Sequence, residues 1–178
     1  MALNQPVGVP ALGTLSLTII PVSGVANIAA LTVTEATALG AINASCHNLS
    51  DGWGRSRTQQ SATRRRACST TTYQVAGQQD ISFDAARFVY DPQDPTAEVS
   101  KVYAGLTEGE EYYVIERIGV SGFTELAAAD YYDAYHVRLD VKDKLVPGDE
   151  GELEFTAQFS NLSPKVVDAQ IAAAAAAA

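Results

Sequence analysis

The sequence predicts a mainly β, α+β protein: an antiparallel sandwich or barrel-like sheet with one helix, a long projecting loop and terminal arms. Three observations carry this. Tyr135, Val137, Leu139 and Val141 alternate with His136, Arg138, Asp140 and Lys142, and Leu153, Phe155, Ala157 and Phe159 alternate with Glu152, Glu154, Thr156 and Gln158. Two runs of period two joined by a turn over 145–151 read as a hairpin with one dry and one wet face. One stretch has helical spacing instead, with Val99, Val102, Tyr103 and Leu106 on one stripe. Lastly, 178 residues at 47% hydrophobic composition, punctuated by Gly, Pro and Tyr, suffice for one core. We therefore expect a single domain over 14–160.

Taken in order, residues 1–13 read as an extended arm, because Pro6, Gly8, Pro10 and Gly13 are spaced along it. Leu15, Leu17 and Ile19 alternate with Thr and Ser and predict a strand. Pro21 to Gly24 turns, and Ile28 to Val33 is a second strand candidate. The Ala- and Thr-rich residues 34–45 give no firm signal.

The segment 47–70 opens with turn chemistry around the only tryptophan, Trp53. It continues as some twenty polar residues with no helical stripe, long for a loop inside a compact domain. Either it is a two-stranded arm or it is mobile. A strand through Thr72, Tyr73 and Val75 then ends at Gly77. Ile81, Phe83 and Ala85 alternate with Asp80, Ser82 and Asp84, but the phase slips to Phe88 and Tyr90, which predicts a bulge near Ala85 and Ala86. Asp94 as N-cap and Pro95 at the first position predict a helix over 94–107, stopped by Gly105 or Gly109. Glu111 to Arg117 returns as a strand. Residues 161–178 read as a tail, ending in alanines that carry no information.

Charge is uneven. The net formal charge is −9, yet residues 1–66 sum to +3 and the remainder to −12. A polar chain of this kind suits association between copies, basic part against acidic part. The plainer alternative is an acidic domain with one cationic loop. Cys46 and Cys68 are too few for a disulfide framework and are expected as reduced, buried thiols. No Lys or Arg precedes Arg55, so a secretion signal is not expected, and Pro10, Gly13, Pro21 and Gly24 break the apolar run that could have crossed a membrane.

Catalytic groups are sparse. His47 adjoins Cys46, and a Cys–His pair would need His136 brought in by folding, with a third group to orient it. No Cys-x-x-Cys or His-x-x-x-His spacing favours zinc. Glu152 and Glu154 lie roughly 7 Å apart on one strand face, a glycosidase-like separation, but no aromatic residues flank them to hold a sugar. We expect neither an enzyme nor a cofactor. Arg64, Arg65 and Arg66 suit phosphates or the carboxylates of another subunit, and the acidity of the rest disfavours stable wrapping of nucleic acid.

The order of four pieces carries a resemblance. They are Leu31-Thr32-Val33-Thr34-Glu35; Arg66-Ala67-Cys68-Ser69 leading to Tyr73-Gln74-Val75-Ala76-Gly77; the Asp-Pro helix entry closing on Tyr113-Val114-Ile115-Glu116-Arg117-Ile118-Gly119; and Val146-Pro147-Gly148-Asp149 before Glu-Phe-Thr-Ala. Over roughly residues 15–165 the chain resembles a major tail tube protein of a long, non-contractile-tailed bacteriophage, of the type that infects actinobacteria, although its loop is richer in arginine than that family suggests. The resemblance implies a β-sandwich-like tail tube fold, hexameric rings stacked into a hollow tube, and strands that line a channel for the genome. It implies partners too: further copies, a tape measure protein, a tail terminator and distal tail proteins, with phage DNA passing unbound and no membrane. It places the protein in the virion tail, assembled in the host bacterial cytoplasm.

On that reading Trp53, Arg55, Arg57, Arg64, Arg65 and Arg66 form an inter-ring contact loop. The N-terminal arm and the tail after Asn161 lie against neighbours. The wet faces carrying Asp140, Glu152 and Glu154 are the expected channel lining, since carboxylates repel phosphate. A monomeric β-sandwich binding or adhesion module on a virion or cell surface is the alternative.

Overall fold

The computed structural model describes residues 11–38, 40–147 and 151–173. The N-terminal arm up to Pro10, the Gly148 to Glu150 part of the hairpin turn and the alanines from Ala174 lie outside these residues. The fold is mainly antiparallel β. The strands are β1 (Leu15–Pro21), β2 (Ile42–Asn43), β3 (Arg55–Arg65), β4 (Thr72–Phe83), β5 (Ala86–Val89), β6 (Glu111–Ile118), β7 (Tyr131–Lys144), β8 (Glu154–Asn161) and β9 (Val166–Gln170). Two short helices, α1 (Val33–Ala36) and α2 (Lys101–Gly105), interrupt them. Seven strands form one sheet in the order β2-β1-β6-β7-β8-β5, with β9 also on β7. Strands β3 and β4 form a separate two-stranded ribbon.

The long strand β7 organises the sheet. Its residues Asp133 to Arg138 pair antiparallel with Glu116 to Glu111 of β6 on one side. On the other side it takes β9 along Tyr131 to Ala134 and β8 from Val137 onward. Alternation then sorts side chains to two faces. Leu17, Ile19, Val114, Tyr135, Val137, Leu139, Phe155, Ala157 and Phe159 join Val102 of α2 and Leu106, which caps it, in the main core. Ile20, Ile115, Tyr132 and Ala134 face the other way and are covered by Leu31, Ala36 and Ile171. The second face is thus dry at one end only.

Several local expectations are corrected. Ile28 to Val33 is not a strand. Asn27 Oδ1 accepts the Ala29 amide, and a 3-10 turn forms over Ile28–Ala30. Thr32 and Glu35 then close a capping box that starts α1. Side chains that bond to nearby amides outcompete the β ladder.

The helix starts later than Asp94. The Asp94 carboxylate accepts the Thr96 and Ala97 amides and closes a turn of its own, so helical geometry begins with a 3-10 turn at Glu98 and ends at Gly105. The phase slip near Ala85 is not a bulge. The chain leaves the ribbon at Phe83 and enters the main sheet at Ala86. The strand expected to end at Gly77 instead runs through a bulge to Phe83.

The tail after Asn161 contains β9, and Ile171 is buried beneath the second face. Both thiols are exposed, Cys46 in a loop and Cys68 at the end of the ribbon, contrary to the burial expected of them.

Candidate functional site

The ribbon projects because only its root has anything to pack against. Trp53 enters the core, with ring centroids 5.4 Å from Phe83 and 6.2 Å from Phe159. Phe83 meets Tyr135 edge-on at 5.4 Å. The turn before β3 presses onto Asp84, whose amide donates to the Gly54 carbonyl, and a Cβ on Gly54 would overlap the Asp84 carboxylate. Beyond Ile81 the ribbon is exposed on both faces.

The arginines divide into two groups. Arg55 Nε donates to Glu116 Oε2 at 2.7 Å, and its guanidinium sits over the Tyr135 ring. Glu116 is only 5% exposed, so this pair seals the root. Burial in the same cluster, with the Glu116 charge beside it, pushes the Tyr135 hydroxyl well above its ordinary range. Arg57 donates to Gln79 across the ribbon. Arg64, Arg65 and Arg66 form no side-chain hydrogen bond or ion pair among the described residues. Of the six residues expected in a contact loop, Trp53 and Arg55 are therefore committed to the chain's own body, and the free charge lies at the tip.

Asp140 and Glu154, two of the three carboxylates expected to line a channel, sit on the second sheet face, at its uncovered end. Core residues Leu139, Phe155 and Phe159 point away from it, so Arg138, Ser160, Glu154 and Arg87 point toward it. Asp140 lies at a register shift, accepts from Arg138 Nε at 2.9 Å and from the Ser160 hydroxyl, and is held below the usual carboxylate range by the Ser160 hydrogen bond first and by Arg138 second. Glu154 accepts from Arg87 Nη2 at 2.7 Å, and Asp51 adds a second carboxylate to Arg87 at 3.3 Å. These bonds raise the Arg87 pKa.

Glu152 precedes β8 and is exposed. His136 meets Glu111 at 2.9 Å on the same face. Asp143 belongs there too, because Lys142 and Lys144 turn the other way, over Tyr103. The face is a mosaic of ion pairs with carboxylates in excess. The pairing of Glu154 was not readable from sequence, since Arg87 comes from a strand remote in the chain.

Two further features flank these surfaces. Arg117 is 2% exposed and donates to Asp130 at 2.6 Å, to Ser16 Oγ at 2.9 Å and to the Glu125 carbonyl at 3.2 Å, which pins the loop between β6 and β7. A cleft of about 440 Å³ separates the ribbon root, at Arg57 and Ile81, from the segment Asn161 to Lys165. His47 is bonded to the Glu98 carbonyl, and among the described residues no cluster of three or more metal-ligating side chains occurs. No helix among them is long and apolar enough to cross a membrane.

Comparison with known proteins gives one family. The model of the phage tail tube protein family matches residues 2–174. No curated protein matches. Among solved structures, the chain is similar to one in the cryo-EM structure of the anti-feeding prophage baseplate, 6-fold symmetrised, with a TM-score of 0.47 and 10% identity over 93% of this chain and 98% of that one.

Proposed function

Because this chain belongs to the phage tail tube protein family and is a structural component of the virion tail, we propose that it assembles with copies of itself into stacked hexameric rings whose bore conducts the genome. The observation that carries this is the ribbon. It is fixed at its root, projects uncovered, and ends in Arg64, Arg65 and Arg66 without partners among the described residues, on a chain whose remainder is strongly acidic. Such a surface is complementary to another copy rather than to itself. The arm reaches the next ring. The tail is of the long, non-contractile type. A tape measure protein, a terminator and distal tail proteins complete it in the host cytoplasm.

The uncovered sheet face, with Asp140, Glu152 and Glu154, faces the bore. A polyanion held by cations gains free energy from counterion release and adheres. Here the cations Arg87 and Arg138 are already paired with carboxylates, and Glu152, Glu111 and Asp143 supply surplus negative charge. DNA meets a wall that neither binds nor traps it. The scaffold does no chemistry.

Negative-stain microscopy of the purified chain tests the reading: rings or tubes are expected, and a monodisperse monomer at every concentration, as an adhesion module would give, sinks it. Reversing Arg64, Arg65 and Arg66 to Glu is expected to abolish stacking. For the bore, Glu152→Lys with Asp143→Lys is expected to leave tubes intact but slow genome delivery. Normal ejection kinetics in that double variant would remove the lining role.

A further inference from the structure

Resting on the self-assembly proposed above, we infer that the outer half of the arm docks on a second copy of the chain through Ala62, Tyr73 and Val75, and that a β-bulge at Gly77 and Gln78 aims this strip away from the arm's own body. The register carries the inference. In the root half Arg55 pairs with Phe83, Arg57 with Ile81 and Gln59 with Gln79. In the outer half Ser61 pairs with Ala76, Ala62 with Val75 and Arg64 with Tyr73. Between Gln59 and Ser61 the partner strand spends one residue more, so Gly77 and Gln78 together oppose Gln60.

The consequence follows from alternation. Phe83, Ile81, Val75 and Tyr73 are all odd-numbered, and an unbroken strand would put them in one row facing the body. The extra residue moves Val75 and Tyr73 to the opposite face, beside Ala62 and Arg64. The bulge is built for glycine, since a Cβ at Gly77 would lie 2.9 Å from the Gln60 carbonyl oxygen. Tyr73 and Val75 are left 46% and 44% exposed in the outer half of the strand, among Thr72, Gln74 and Ala76. An apolar pair with β-favouring side chains, turned outward at the end of an arm, is a contact surface.

Charge selects the occupant. From Arg55 to Gln79 the arm holds five arginines and no Asp or Glu, while the remainder of the chain sums to −14. Two arms repel each other, and the acidic body of a second copy attracts the arm.

The purified full chain, assembled alone, provides the test. Tyr73→Ser with Val75→Ser is expected to raise the concentration needed for tube formation about tenfold or more, with thermal unfolding of the monomer unchanged. Benzoylphenylalanine placed at position 73 is expected to give, on illumination of assembled material, an adduct joining two chains. Deleting Gly77, which returns the strip to the body side, is expected to reproduce the loss of assembly. Tube formation by the double variant at the wild-type concentration, or an adduct confined within one chain, overturns the docking strip and leaves the tube reading standing. A wild type that remains monomeric throughout overturns both.

Discussion

Arg117 shows how much one side chain holds in place. It is buried, and its guanidinium serves Asp130, Ser16 and the carbonyls of Thr124 and Glu125. Replacing it by Met leaves Asp130 with only the Ala127 amide and two carbonyls without a donor, and we expect a loss of about 3 kcal/mol, read by urea unfolding. Glu35 gives a pH signature. Its carboxylate accepts the Ala26 and Thr32 amides and the Thr32 hydroxyl, and these bonds lower its pKa, the Ala26 bond most. A carboxyl group depressed on folding stabilises above its ordinary range and ceases to do so as pH falls through the lowered one. Glu35→Gln should therefore lower the unfolding midpoint at neutral pH, and the gap from wild type should narrow as pH falls below the ordinary carboxylate range. At this scale the sequence was partly legible. The Thr32–Glu35 spacing follows the capping pattern, but the apolar run from Ile28 to Val33 that overlaps it suits a strand as well. The burial of Glu116 by Arg55 was not legible, because the two meet only after the arm folds onto β6.

The elements that alternate strictly are those the sequence places well. β8 and the stretch of β7 from Tyr135 to Leu139 bury one face, and period two states it directly, whereas β1, β6 and the start of β7 bury residues of both faces. The arm is harder, since almost nothing on it is buried and no periodicity is enforced. Its two-stranded form was one of two readings, and its bulge left no signal beyond Gly77. Trp53 was read as a contact residue because it begins the polar run, yet it is the wedge that fixes the arm to the core. Trp53→Ala should cost roughly 2–4 kcal/mol, discounted from a full aromatic truncation because the ring is only partly buried. It should also speed amide exchange at Ile81 to Phe83, and unchanged exchange there would show that the arm is held by other contacts. Helix α2 depends on its underside. Leu106 is 1% exposed, and Leu106→Ala should cost about 2–5 kcal/mol in denaturant melts.

At the scale of the whole molecule, charge polarity was legible and its purpose was not. Counting residues gives a basic arm and an acidic body. Only the coordinates separate Arg55, spent on Glu116, from Arg64, Arg65 and Arg66, which are free to act at a distance. If that polarity drives assembly, raising salt from about 0.05 to 0.5 M should weaken tube formation steeply, since exposed charges are screened within a few ångströms at high ionic strength. A tube yield indifferent to salt would assign the adhesion to apolar contacts alone. The ribbon has one more consequence. Strands β3 and β4 each leave an outer edge unpaired along most of their length, and such edges in a crowded pool of newly made subunits are seeds for fibrous precipitate. Four like charges with no carboxylate beside them, Arg57, Arg64, Arg65 and Arg66, keep these edges apart on every copy of the ribbon, so unused subunits stay dispersed until an acidic surface accepts them.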